Sequence, residues 1–168
     1  MKRVVTGAVA IGVLLIPAGA FAQTKRQVET SPVTFTLTSA TCPNLPPGTT
    51  ITGTGTLTSI TWTTTRHRRV TVTNSSLAPG TATDQSGNQY TFLYSNQFRV
   101  TNRHRHRKLY SGIMVDVFTL QGTGPAKLSN DFLARFRTDF KNVQRFSPIN
   151  AFGDPIDFAT GQAHCDPL

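Results

Sequence analysis

Tyr90-Thr91-Phe92-Leu93-Tyr94-Ser95-Asn96-Gln97-Phe98-Arg99-Val100 alternates without a slip. Tyr90, Phe92, Tyr94, Asn96, Phe98 and Val100 fall on one side of an extended chain, and Thr91, Leu93, Ser95, Gln97 and Arg99 fall on the other. A period of two marks a half-buried strand, because successive Cβ atoms point to opposite faces. Here one face is aromatic and the other mostly polar.

Toward the C-terminus the extended character persists. Residues 110–120 are apolar on both faces apart from Asp116, which suits a central or doubly covered strand. In residues 128–140, Phe132, Phe136 and Phe140 satisfy both a helical i, i+4 spacing and a strand spacing. The strand is preferred, with Ala134 and Thr138 filling the inward positions between them and Leu133, Arg135, Arg137 and Asp139 outward. A last strand is expected through Ile156-Asp157-Phe158.

Toward the N-terminus, Gln85-Ser86-Gly87-Asn88 has the composition of a hairpin turn. Residues 70–73 read as a short strand and residues 74–80 as a loop. Residues 50–65 are so rich in threonine, with Ile51, Leu57, Ile60 and Trp62, that a long strand is expected. Its parity slips: Ile51, Gly53, Gly55 and Leu57 share one face, whereas Ile60 and Trp62 take the other. A bulge near Thr58-Ser59 would return every apolar side chain to one side. Gly53 and Gly55 mark a bend or a close approach by another segment. Thr41-Cys42-Pro43-Asn44-Leu45-Pro46-Pro47-Gly48 reads as a loop, and residues 33–37 as a strand before it.

Seven or eight strands without convincing helices predict an all-β fold, an antiparallel up-and-down β-barrel, with a β-sandwich as the alternative. In general shape such a barrel is similar to lipocalins and to the dirigent and allene oxide cyclase barrels.

Residues 1–22 have the tripartite pattern of a cleavable secretory signal: Lys2 and Arg3, an apolar core to Pro17, then Ala20-Phe21-Ala22. Residues 23–31, polar and aperiodic, are expected to be a flexible lead-in, and residues 32–168 a single β domain. A secreted, extracellular location follows, with no stable membrane insertion after cleavage. The chain carries a formal charge of +9; without the signal it keeps 15 Lys and Arg against 8 Asp and Glu, a charge of +7. Cys42 and Cys165 are the only cysteines, and an oxidising destination predicts a disulfide between them. Closing so long a loop is worth roughly 4 to 5 kcal/mol in the chain-entropy view.

The opening Thr41-Cys42-Pro43-Asn44-Leu45-Pro46-Pro47-Gly48, the hairpin Ala82-Thr83-Asp84 to Gly87-Asn88-Gln89-Tyr90, and the ending Gly153-Asp154-Pro155 to Cys165-Asp166-Pro167-Leu168 resemble uncharacterised secreted proteins of actinobacteria. The resemblance covers residues 41–168. It implies an exported single domain with a terminal disulfide, and brings no activity or site residues.

Two basic runs stand between expected strands: Arg66-His67-Arg68-Arg69 and Arg103-His104-Arg105-His106-Arg107-Lys108. Clustered guanidinium groups suit polyanions, because several bound counterions are released together. Arg66, Arg68, Arg69, Arg103, Arg105, Arg107 and Lys108 are therefore candidate polyanion contacts. Counting three intervening turns puts the runs at opposite ends of the sheet, as separate solvated hairpin tips. His104 and His106 could chelate a metal with His67, but the flanking arginines oppose a cation, so no metal and no cofactor is expected.

Tyr90, Tyr94 and Asn96 on the aromatic face, with Asp116, could line an internal cavity as a ligand site. Were Asp116 interior, its carboxylate would be desolvated, as a general acid requires; the preferred reading is structural, with Asp116 paired to an arginine, or facing solvent while Ile113, Val115 and Val117 face the core. No catalytic constellation is evident. The expected function is a secreted, non-enzymatic binding or interaction protein, with weak association to an anionic surface polymer through the basic tips. The alternative is a small β-barrel carrier or enzyme acting on an apolar ligand in an internal cavity.

Overall fold

The computed structural model describes residues 22–66, 69–102, 109–153, 156–157 and 162–163. The expected signal segment up to Phe21 lies outside the described residues, as do His67, His104, His106, Cys165, Arg68, Arg103, Arg105, Arg107 and Lys108.

Seven strands pair antiparallel in chain order: β1 (Gln23–Thr38), β2 (Thr50–Arg66), β3 (Arg69–Asp84), β4 (Gln89–Asn102), β5 (Tyr110–Gly122), β6 (Leu128–Thr138) and β7 (Gln144–Gly153). A separate two-stranded ladder joins β8 (Ile156–Asp157) to β9 (Gln162–Ala163). The fold is all-β, and the sheet is one up-and-down meander. It is not the expected closed barrel: among the described residues β1 and β7 remain its two edges. A physical reason lies in β1. Its inward positions near the start are Lys25, Gln27 and Glu29, all exposed, so no apolar surface draws this half of the strand over the core.

Three local expectations are corrected. Residues 23–31 are not an irregular lead-in but the first half of β1, in unbroken register with β2 from Gln23↔Thr65 to Ser31↔Leu57. No bulge occurs near Thr58-Ser59, where both neighbours of β2 keep one register throughout. Ile60 and Trp62 instead stay on the outer face, with Val28 directly opposite Ile60. Residues 74–80 are not a loop but the middle of β3, fully paired with β4. Their turn-like composition leaves one trace: on the β2 side the ladder skips Ala78 and Pro79 before resuming in the same register, as a residue without an N–H requires. Pro32 and Pro148 fall on the edge strands β1 and β7. The one register shift in the sheet is between Leu133 and Ala134, where β7 accommodates Ile149 as an extra residue.

The face bearing Tyr90, Phe92 and Tyr94 is the inner one, and it holds two apolar clusters at opposite ends of the strands. The larger comprises Phe35, Leu37, Ile51, Tyr90, Phe92, Tyr94, Phe118, Leu120 and Leu128, and is capped by Cys42, Leu45 and Ala126 from two loops. This is the packed end. The Phe35 and Phe92 rings meet edge-on, with centroids 4.9 Å apart. They can do so because Gly53 lies under Phe35 and Gly55 and Gly80 under Phe92, where a Cβ would strike the rings. The expected close approach at Gly53 and Gly55 is thus made by side chains from β1 and β4.

The smaller cluster gathers Val72, Val100, Met114, Phe132, Ala134 and Phe136, flanked by Phe98, Tyr110 and Phe146. Phe136 and Phe146 stack at 5.1 Å. β6 is a strand as expected, with Phe132 and Phe136 inward, and Phe140 lies beyond it in the turn at a φ of 58°. Asp116 is on the inner face; Ile113 and Val115 are outward and exposed.

Candidate functional site

A polar row crosses the inner face between the two apolar clusters. Ser59, Ser76, Asn96 and Asp116 are direct cross-strand neighbours on β2, β3, β4 and β5, and Glu29 of β1 stands opposite Ser59. Of the four residues expected to line a ligand site, three meet here. The Tyr94 hydroxyl donates to Asp116 Oδ2 at 3.1 Å, and Asn96 Nδ2 donates to the same oxygen at 2.9 Å. Tyr90 does not join them: two residue pairs along the strand, its hydroxyl donates to Asp84 Oδ2 at 3.0 Å.

The other half of the row was not legible in the sequence, because its residues lie where a loop and a bulge were expected. Asn74 Nδ2 donates to Ser59 Oγ at 2.8 Å and to Thr61 Oγ1 at 3.0 Å. Ser76 Oγ donates to Asn74 Oδ1 at 2.8 Å and lies 2.9 Å from Ser59 Oγ. Asn74 and Ser76 are buried. Each polar group is thereby satisfied inside the sheet, which is what burial of amides and hydroxyls demands.

Two turns are held by carboxylates. Asp84 accepts from the Ser86 and Asn88 backbone N–H groups, Asn88 Nδ2 and the Tyr90 hydroxyl. The Asn88 side-chain amide, foremost, holds the Asp84 carboxyl below its usual range, whereas burial, then Asp84 itself, pushes the Tyr90 hydroxyl up. In the β6–β7 turn Asp139 accepts from the Lys141, Asn142 and Val143 backbone N–H groups, and the Val143 bond chiefly lowers its carboxyl.

Register also decides where the basic residues go, and it corrects the expectation of opposite ends. The β2–β3 turn at Arg66↔Arg69 and the β4–β5 connection leaving Asn102 are separated by two strands, β3 and β4, an even number, so both open at the end opposite the packed one. The miscount came from reading β3 as a short strand plus a loop. The β6–β7 turn opens at this end too. Of the ten described Lys and Arg residues, Lys25, Arg26, Arg66, Arg69, Arg99, Arg135, Arg137, Lys141 and Arg145 lie on this side of the Asn96 row. Lys127 alone lies on the other. Asn102 and Tyr110, which flank residues 103–108 in the sequence, stand at this same end. Its one described carboxylate, Asp139, is occupied by turn N–H groups. Among the described residues no three His, Cys, Asp or Glu side chains group to hold a metal.

Comparison with protein-family models, with curated proteins and with solved structures finds no match to this chain.

Proposed function

We propose that this chain is an exported, non-enzymatic binding protein whose basic sheet end associates with polyanions. The observation that carries this reading is the register-enforced gathering of nine of the ten described cationic side chains at one end of the sheet. Those residues are exposed, and like charges held on a rigid sheet release counterions together when a polyanion displaces them. In the sequence Arg68 stands between Arg66 and Arg69, and Arg103, Arg105, Arg107 and Lys108 follow Asn102; the reading counts them as further polyanion contacts.

Export rests on the tripartite segment 1–22, and the Cys42–Cys165 disulfide is part of the same reading. Cys42 is fully buried at the packed end. An interior ligand has less support: the inner face at that end is filled by Phe35, Phe92 and Phe118, and Tyr94 and Asn96 both donate to Asp116 Oδ2 in a polar layer between the clusters. The test is the salt dependence of heparin binding. The reading expects log affinity to fall linearly with log salt with a slope of several ions, and Arg66→Gln with Arg69→Gln to reduce that slope by about two. Absence of binding at low salt overturns it.

A further inference from the structure

Like charges placed directly opposite one another on neighbouring strands destabilise a sheet, and this sheet does so twice at its basic end: Arg66 faces Arg69, and Arg137 faces Arg145. The second pair has a setting the first lacks. Arg137 and Arg145 end an outward cross-strand row that reads Thr24, Thr64, Thr71, Thr101, Ser111, Arg137, Arg145. The adjacent row places Arg99, Ile113 and Arg135 side by side. Between these rows the outer face has a depression of about 460 Å³ lined by Arg99, Thr101, Ser111, Gly112 and Ile113. Gly112 lets β5 lie close against β4 here, because a Cβ would strike the Arg99 and Val100 backbone.

We propose that this depression, lined by Arg99, Thr101 and Ser111 and flanked on the next strand by Arg135 and Arg137, the cross-strand neighbours of Ile113 and Ser111, is the anchor for one tetrahedral oxyanion ester of an anionic glycan. The inference rests on the polyanion reading and deepens it. Strands spaced about 4.8 Å apart and alternate residues about 6.8 Å apart set guanidinium groups on two sides of a sulfate- or phosphate-sized space. None of the three arginines has an ion pair among the described residues, so an arriving oxyanion meets unspent donors and relieves the Arg137–Arg145 repulsion. Hydroxyls supply neutral donors to ester or sugar oxygens. Single-stranded nucleic acid fits less well, since it needs successive aromatic platforms. Among the described strand side chains, Trp62 carries the outward-facing ring, and it lies on β2, two strands from β4.

The experiment titrates the full mature protein with a heparin hexasaccharide, a glycerol phosphate oligomer and oligo(dT), at low salt and at about 0.15 M ionic strength. Three variants accompany it: Arg135→Gln with Arg137→Gln, Ser111→Ala, and Arg66→Gln with Arg69→Gln, each checked for an unchanged circular dichroism spectrum. The anchor predicts that the Arg135/Arg137 variant loses about tenfold or more toward the esters at the higher salt, as charge-assisted hydrogen bonds do, and Ser111→Ala about threefold. The Arg66/Arg69 variant changes mainly the salt slope. Sulfate and phosphate arms tell which ester is taken. Equal losses from the two arginine pairs leave polyanion binding standing and overturn the anchor. Oligo(dT) binding as tightly as the glycans overturns the glycan assignment. Failure of all three probes at low salt removes the parent reading, and the anchor with it.

Discussion

The two ends of this sheet are built from the same seven strands and use them differently. At the packed end, loops carrying Cys42, Leu45 and Ala126 fold over rings from β1, β4 and β5, and Phe118 is fully buried. At the other end β1 stands away exposed over residues 23–31, Phe98 and Phe146 are half-buried, and arginines face one another. A continuous ladder runs through both, so backbone pairing alone does not decide how well an end is packed. What differs is the inward side chains: Phe35, Leu37 and Ile51 on β1 and β2 at one end, Lys25, Gln27, Thr61 and Thr63 at the other. The polar row through Ser59, Ser76, Asn96 and Asp116 marks the change.

The largest test of this contrast is in the cores. Phe118→Ala should cost about 3–5 kcal/mol, as expected for truncating a fully buried ring, whereas Phe98→Ala should cost about 1–2 kcal/mol because its ring is already partly in water. Urea denaturation measures both, and equal losses would erase the distinction between the ends. Next in size is the expected disulfide. Cys42→Ala should lower stability by about 2–5 kcal/mol, Cys165→Ala by a similar amount, and the double variant by little more. Two thiols reacting with Ellman's reagent in the native protein would rule the bridge out.

The smallest effect sharpens the comparison through pH. Asp84 at the packed end and Asp139 at the basic end both have lowered carboxyls. Each therefore contributes stability that is fully present above the unfolded value of about 3.9 and is lost as pH falls through the lower folded value. Asp84→Asn and Asp139→Asn should each flatten the acid limb of the stability profile. Tyr90 is raised, so its contribution holds below the ordinary phenol value and disappears as pH climbs through the folded one. Tyr90→Phe should flatten the alkaline limb. A profile for Asp139→Asn that also changed on the alkaline side would show that the two turns are not independent.

Much of the fold was legible because local pattern and tertiary demand agreed. The alternation over residues 90–100 is β4, and the inward rings of residues 128–138 define β6; Asp116, for which the sequence favours pairing with an arginine or a solvent-facing position, lies inward beside Tyr94 and Asn96. Legibility stopped where composition argued for one structure and non-local partners chose another. Asn74, Ser75, Ser76, Pro79 and Gly80 look like a turn, yet Asn74 and Ser76 are held extended by hydrogen bonds to Ser59 and Thr61 on β2. That one misreading added a turn and sent the second basic run to the wrong end. Ile60 and Trp62 carried no sign that they would stay outward, because their neighbour Val28 lies on a strand whose first half has no apolar period of its own.

The placement of the prolines has a consequence for the chain as a neighbour to itself. An open sheet offers two rows of unmatched peptide groups to any other extended chain, which is the usual start of edge-to-edge aggregation. On β7, Pro148 and the extra residue Ile149 interrupt that template near its middle. On β1, Pro32 divides the strand, leaving residues 23–31 as its longer uninterrupted stretch. An incoming strand there must run past Lys25, Arg26 and Glu29, whose solvated charges resist being covered. A threonine-rich sheet can in this way keep two open edges and still resist pairing with a further strand.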